Sequence, residues 1–193
     1  MAASNSARFR RKTLFALAII FTVGLSACFT GQEARDRSDQ TIKMTDKGVT
    51  VYAAGDIAEC KNLKPESTPA AQTAALIAAG LAKDKDGAVL TLGDNTYPIG
   101  LPTEFDNCYE PTWGRFKERT YPSPGNHDYY TPQAIGYFGY FRNAAGPARR
   151  GYYSFELGGW HIISLNSTLK QEEHQAQLAW LKTDLEQHNA RCT

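Results

Sequence analysis

Beyond a dense apolar run near the N-terminus, hydrophobic and polar positions follow one another in short blocks that predict alternating strands and helices. Val49-Thr50-Val51-Tyr52-Ala53-Ala54 is β-branched and apolar and stops at Gly55-Asp56, the pattern of a short strand. Residues 69–82 are rich in alanine, with Leu76, Ile77 and Leu81, and predict a helix. A second strand, Ala88-Val89-Leu90-Thr91-Leu92, stops at Gly93-Asp94. The stretch 103–117 reads as partly helical, with Phe105, Tyr109, Trp113 and Phe116 as its apolar residues and Pro111 as an interruption, because proline has no N–H to give. A third run, Thr120 to Pro124, stops at Gly125-Asn126-His127-Asp128. An aromatic-rich loop is expected from Tyr129 to Phe141. Two strands follow, Tyr152–Leu157 and Trp160–Leu165, joined by Gly158-Gly159, a hairpin turn signal. Residues 173–188 predict an amphipathic helix with Leu178, Leu181 and Leu185 on one stripe. Strand–helix alternation with a late hairpin gives an α/β fold class with a mixed sheet.

The apolar run Leu14–Gly24 changes the picture at the N-terminus. Arg8, Arg10, Arg11 and Lys12 precede it and Leu25-Ser26-Ala27-Cys28 follows. A basic segment, a short apolar centre and small residues at a cut site make a signal peptide over 1–27. A transmembrane helix needs about 20 apolar residues, and this run falls short. Leu-Ser-Ala-Cys resembles the lipobox of bacterial lipoproteins, which implies that Cys28 is lipidated and that 28–47, polar and charged, is a tether. The expected destination is a bacterial cell envelope, the chain exported and lipid-anchored, facing the periplasm or at the outer membrane or cell surface. Without 1–27, the 21 basic and 20 acidic side chains become 17 and 20, a net charge of about −3 rather than +1. A polymeric nucleic acid usually calls for a basic face, so none is expected as partner.

Candidate chemistry gathers at the strand ends. Gly55-Asp56, Gly93-Asp94-Asn95-Thr96-Tyr97 and Gly125-Asn126-His127-Asp128 each follow an apolar run. In open α/β sheets the ligand crevice lies off the carboxyl ends of the strands, and glycine there lets the backbone turn sharply or approach a ligand. Carboxylate, amide and phenolate oxygens with histidine suit divalent or trivalent first-row metals. Each motif alone is ordinary turn chemistry; three in order are not.

The series resembles the calcineurin-like metallophosphoesterases, and within them the purple acid phosphatase branch, over roughly residues 48–193. In that branch Gly-Asp-x-x-Tyr replaces the Gly-Asp-x-x-Asp of other members, and Tyr97 occupies the tyrosine position. The resemblance implies a β-sandwich of mixed sheets flanked by helices, incomplete here. It implies two divalent or trivalent metal ions, iron, zinc or manganese, with Asp56 and Tyr97 on the first, Asp94 bridging and Asn126 on the second. It places His127 beside the leaving group of a small phosphate ester, which a metal-activated hydroxide attacks. The departures are Ala58 where the wider family has a histidine and Asp128 where the branch more often has Glu. The family's two later histidine motifs do not occur in the sequence. His161 reads as a core or hairpin residue, His174 and His188 as solvated. The expectation is therefore the N-terminal part of a truncated phosphatase domain, weak or inactive by itself. The alternative is a non-catalytic surface lipoprotein or a gene fragment that keeps the half-fold. Export favours oxidation, and Cys60 and Cys108 each follow shortly after motifs that have to meet, so a Cys60–Cys108 disulfide is expected with Cys192 left over. The aromatics of the 129–141 loop, Tyr129 and Tyr130 among them, are expected to pack it, the alternative being a substrate-recognition wall near the metals. Arg149-Arg150 is expected to form a solvated turn, the alternative being a phosphate contact.

Overall fold

The runs that precede the three glycine motifs pair side by side as a parallel sheet. In the computed structural model, which describes residues 48–193, β1 (Val51–Ala54) pairs with β2 (Ala88–Leu92) and β2 with β3 (Thr120–Ser123), in the order β1-β2-β3. The signal segment 1–27, Cys28 and the tether 28–47 lie outside the described residues. Parallel neighbours need a crossover. Helix α1 (Pro69–Leu81) makes the first; Thr68 caps it by accepting from the Ala71 N–H at 3.3 Å, with Pro69 at the first helical position, where a missing N–H costs nothing. Its inward stripe is Ala70, Ala74, Ile77 and Leu81, whereas Leu76 is exposed. Small residues let α1 lie close to the layer beneath it.

The second crossover is α2 (Pro102–Glu104), a π-helical turn Phe105–Tyr109, α3 (Glu110–Thr112) and a 3-10 turn Gly114–Arg119. Pro111 does not break this stretch. The Glu110 N–H reaches back to the Phe105 carbonyl, and this wider turn absorbs the register that proline would otherwise disrupt. Phe105, Cys108, Tyr109, Trp113 and Phe116 all point inward.

The aromatic segment after β3 is not a plain loop. It contains helix α4 (Ile135–Phe141), with Tyr137, Phe138, Tyr140 and Phe141 buried. Two glycines and four aromatics carry weak helix propensity, so packing decides. Phe105 stacks on Tyr140 at 5.1 Å, and Tyr109 meets Phe141 edge-on at 5.5 Å. A Cβ on Gly136 would lie 2.1 Å from the Gly100 carbonyl oxygen, so only glycine allows α4 to seat there.

β4 (Tyr153–Leu157) and β5 (Trp160–Ser164) form a separate antiparallel sheet, not an extension of one mixed sheet. Side chains rather than a backbone ladder join it to β3. Tyr121 stacks on Phe155 at 3.8 Å, the Tyr153 hydroxyl donates to the Pro122 carbonyl at 2.9 Å, and the Ser123 and Ser164 hydroxyls lie 2.6 Å apart. Helix α5 (Gln171–Gln187) also differs from its predicted stripe: Leu178 and Leu185 are exposed, while Gln177 and Asp184 are buried. Both polar side chains are held. Gln177 exchanges hydrogen bonds with the Asn166 backbone, accepting from its N–H at 2.8 Å and donating to its carbonyl at 3.2 Å. A buried polar group costs little once paired. None of the described helices is long and apolar enough to cross a membrane.

Candidate metal centre

Because β1, β2 and β3 run parallel, the loops leaving them emerge together. The pairing of the first two continues past the sheet: the N–H groups of Asp56, Ile57 and Ala58 donate to the carbonyls of Gly93, Asp94 and Asn95 at 3.3, 3.0 and 3.2 Å, and Tyr97 N–H donates to the Ala58 carbonyl at 2.9 Å. Asp56 and Asp94 thus become neighbours, and both sit in the left-handed region, with φ of 52° and 49°. That conformation is uncommon for a residue with a Cβ and costs roughly 1–2 kcal/mol. The third loop comes in against Asp94 so closely that a Cβ on Gly125 would lie 2.1 Å from its Oδ1.

Asp94 is the hub. Its Oδ1 accepts from the His127 N–H at 2.9 Å, and its Oδ2 stands 3.1 Å from the Tyr97 hydroxyl, which also hydrogen-bonds Oδ1 of Asp56. Burial, reinforced by these two carboxylates, holds the Tyr97 phenol well above its ordinary pKa. Three oxygen donors from two loops therefore converge, a set that fits a hard cation, whose positive charge reverses that local pKa logic. Asn126 lies with Asp56 and Asp94 on one recess of about 380 Å³, lined also by Ser167 and Thr168. Its Nδ2 donates to the Tyr130 hydroxyl at 3.2 Å, which leaves Oδ1 as the amide atom available to a cation. His127 Nδ1 donates to the Pro98 carbonyl at 2.7 Å, so Nε2 is the ring nitrogen left for chemistry. A backbone carbonyl thus fixes the orientation of the ring. The His127 ring lies 4.4 Å from Tyr97 and 4.6 Å from Tyr130.

Four further residues shape the centre. Asp128 is fully buried and accepts from the Gly125 N–H at 2.8 Å, the Asn95 N–H at 3.2 Å and Asn95 Nδ2 at 3.0 Å. Burial pushes its carboxyl up to about 6, against those hydrogen bonds. It pins the third loop to the second. Tyr130, 57% exposed, stands at the centre's edge, whereas Tyr137, Phe138, Tyr140 and Phe141 of the same aromatic segment are buried. Ser167 and Thr168 reach the recess because buried Asn166 anchors their loop, donating to Tyr129 Oη at 2.8 Å and to the Arg150 carbonyl at 3.0 Å. Asp128 within its motif and Tyr130 within the aromatic segment carried a signal in the sequence; Ser167 and Thr168 carried none. Behind the centre, Cys60 and Cys108 are joined as a disulfide, with Cα atoms 5.7 Å apart. Cys192 is free. His161 and His188 belong to another part of the molecule, and His188 is not simply solvated, since its ring stacks on His161.

An α/β protein with oxygen donors converging at parallel strand ends is the class this geometry defines. Its relatives are more particular. Over 94 residues, 40% of this chain and 20% of the other, the sequence is 36% identical to purple acid phosphatase 23 of Arabidopsis thaliana. Over 121 residues, 54% of this chain and 25% of the other, it is 31% identical to purple acid phosphatase 1 of Ipomoea batatas. The match spans a quarter or less of each relative's length, and no family model matches the chain. The similarity to purple acid phosphatases is thus distant and partial, covers about half the chain, and points to a metal-binding, phosphoesterase relationship.

Proposed function

We propose that this chain carries part of a calcineurin-like metallophosphoesterase centre that hydrolyses small phosphoric esters. The observation that supports this most is the meeting of Asp56, Asp94 and Tyr97 through one shared hydroxyl proton. In this reading Asp56, Asp94 and Tyr97 hold a first cation, and Asp94 with Asn126 holds a second. Iron, zinc or manganese bound there supplies charge to polarise a phosphoryl group and acidify water. Asp94 fixes the register of both positions, since its two oxygens already face different loops. His127, held by Pro98, presents Nε2 to the phosphoryl oxygens or the leaving group. Tyr130 keeps the Asn126 amide turned with its oxygen free. The second position has fewer protein donors than the first among the described residues, so the second cation binds more weakly and turnover is slow. Metal analysis and an aryl phosphate assay test the reading: Asp94→Asn should remove the strand-end cations and turnover together, and unchanged metal content with unchanged turnover would falsify it.

Export to a bacterial envelope on a Cys28 lipid belongs to the same proposal. The Cys60–Cys108 disulfide supports it, because such bonds persist in oxidising compartments. Labelled palmitate should enter the wild-type chain in bacteria and not the Cys28→Ala variant; equal labelling of both removes the anchor.

A further inference from the structure

A second concentration of ionisable groups lies where the β4–β5 hairpin meets the end of α5, and it shares no residue with the strand-end recess. His161 of β5 is 1% exposed. Its Nδ1 is 2.7 Å from Oε1 of Glu156, its cross-strand partner on β4, and its Nε2 is 2.6 Å from Oδ2 of Asp184 on α5. Asp184 is buried too and is held by the Ser154 hydroxyl, which donates to its Oδ1 at 2.6 Å. His188, just past α5, stacks on the His161 ring at 4.2 Å with its Nδ1 2.8 Å from the Asp184 carbonyl. One donor atom from each of Glu156, His161 and His188 lies within 4.8 Å of the other two.

We propose that this cluster is a transition-metal site for zinc or a cation of like preference, with Glu156, His161 and His188 as ligands and Asp184 as the carboxylate that orients His161. The donor chemistry selects the metal. Two imidazoles and a carboxylate suit zinc, cobalt, nickel or copper, whereas magnesium and calcium take oxygen. The outer arrangement is that of a histidine ligand, one ring nitrogen committed to a fixed carboxylate and the other turned to the metal side. Asp184 and Ser154 form that fixed outer layer, leaving Nδ1 of His161 facing Glu156.

Charge balance agrees. Without a metal, a proton on each nitrogen of His161 offsets only one of the two carboxylates that face it. With a dication bound, Nδ1 of His161 and one nitrogen of His188 each donate a lone pair, the Nδ1 proton leaves to solvent, and the +2 charge cancels Glu156 and Asp184. Access is also built in. The inner pair is buried, but the side chains of Glu156 and His188 are 47% and 40% exposed. Ligand atoms around a tetrahedral zinc stand about 3.3 Å apart for bonds of roughly 2.0–2.2 Å. Rotation of those two outer side chains closes the difference. The bound ion would tie β4, β5 and the chain beyond α5 at one point.

The test uses the full chain, stripped with chelator, in an Asp94→Asn background that silences the strand-end centre. Zinc is titrated by calorimetry and cobalt by visible absorption. One zinc equivalent, a raised thermal midpoint and the intense band of four-coordinate cobalt are expected. Adding His188→Ala should weaken zinc at least about tenfold and remove the band, while His174→Ala on the exposed side of α5 changes neither. No zinc uptake by the Asp94→Asn chain, or uptake unchanged by both His188→Ala and Glu156→Gln, overturns the proposal. If Asp94→Asn fails to fold, the comparison moves to the unaltered chain, where His188→Ala must lose one metal equivalent; losing none overturns it equally.

Discussion

The strand-end centre and the hairpin cluster gather ionisable side chains by opposite means. At the strand ends the donors are oxygens on loops, two of them at left-handed backbone positions, opening onto a recess. At the hairpin the donors ride on regular strands and a helix end, and the inner pair is sealed from water. A site on loops depends on backbone conformation, which particular residues announce in a sequence. A site on regular elements depends on register and on how elements return to one another, which no short motif announces. The first arrangement suits a group that must meet substrate. The second suits one that stabilises.

Substitutions can break or sharpen this contrast. The largest effect is expected at Asp94: Asp94→Asn should take aryl phosphate turnover to background, a loss of at least about a hundredfold, while zinc uptake at the hairpin persists. Loss of both metals in one variant would erase the distinction between the regions. Next comes the disulfide behind the centre. Its partners are 48 residues apart, and Cys60→Ser with Cys108→Ser should cost about 4 kcal/mol in denaturant unfolding; a change near zero would mean that the π-helical turn Phe105–Tyr109 and the first motif loop hold together without it. Asp128→Ala, which leaves the Gly125 and Asn95 N–H groups without their acceptor, should cost about 3 kcal/mol. It should also loosen metal affinity at the strand ends, and the hairpin metal should not notice.

A smaller effect is expected from pH in the metal-free chain. Burial works against the charge on His161, but hydrogen bonds to Asp184 and Glu156 outweigh it and hold the imidazole above its ordinary pKa. Burial likewise opposes the charge on Asp184, and the bonds from Ser154 and His161, with the His188 charge, hold it below the usual carboxylate range. The His161 contribution is therefore complete below about pH 6.5 and fades as pH rises through its raised value. The Asp184 contribution is complete above about pH 4 and fades as pH falls through its lowered value. Thermal midpoints should peak between those limits, and Asp184→Asn should flatten both flanks. Glu156 and His188 face the same ring, and Glu156→Gln, which removes one of the two bonds that favour the charged imidazole, should flatten chiefly the alkaline side. The smallest effect belongs to Tyr130→Phe, which should lower turnover only about threefold by freeing the Asn126 amide to rotate.

Much of the strand-end architecture was legible in the sequence. Gly-Asp after an apolar run marks the end of a strand and a donor in one stroke, so β1 and β2 with the candidates Asp56 and Asp94 could be read directly. Gly-Asn-His-Asp did the same for β3 and Asn126, while the resemblance singled out Tyr97. Asp128 could not be read as a tie between loops, because an acid beside a candidate ligand looks like another ligand until its burial is known. Helix α4 was hidden by Gly136 and Gly139, which weigh against a helix locally and are overruled by the fit of aromatic rings. The inward face of α5 was misread for a related reason: leucine periodicity names the apolar side, yet Gln177 and Asp184 turn inward because buried partners await them. The hairpin cluster left no trace at all. Residues 156, 161, 184 and 188 meet only after a two-glycine turn sets one register and α5 brings its end back.

The left-handed backbone at Asp56 has an evolutionary edge. Glycine would sit there without strain, so Asp56→Gly should leave the fold as firm or firmer, by up to about 1 kcal/mol, though it surrenders an oxygen facing Tyr97. Selection for thermal endurance alone would favour that replacement, and a lineage that still keeps the acid must be under pressure of another kind. Aspartate persisting at position 56 in laboratory drift under an activity screen, and giving way to glycine under heat alone, would make that pressure visible.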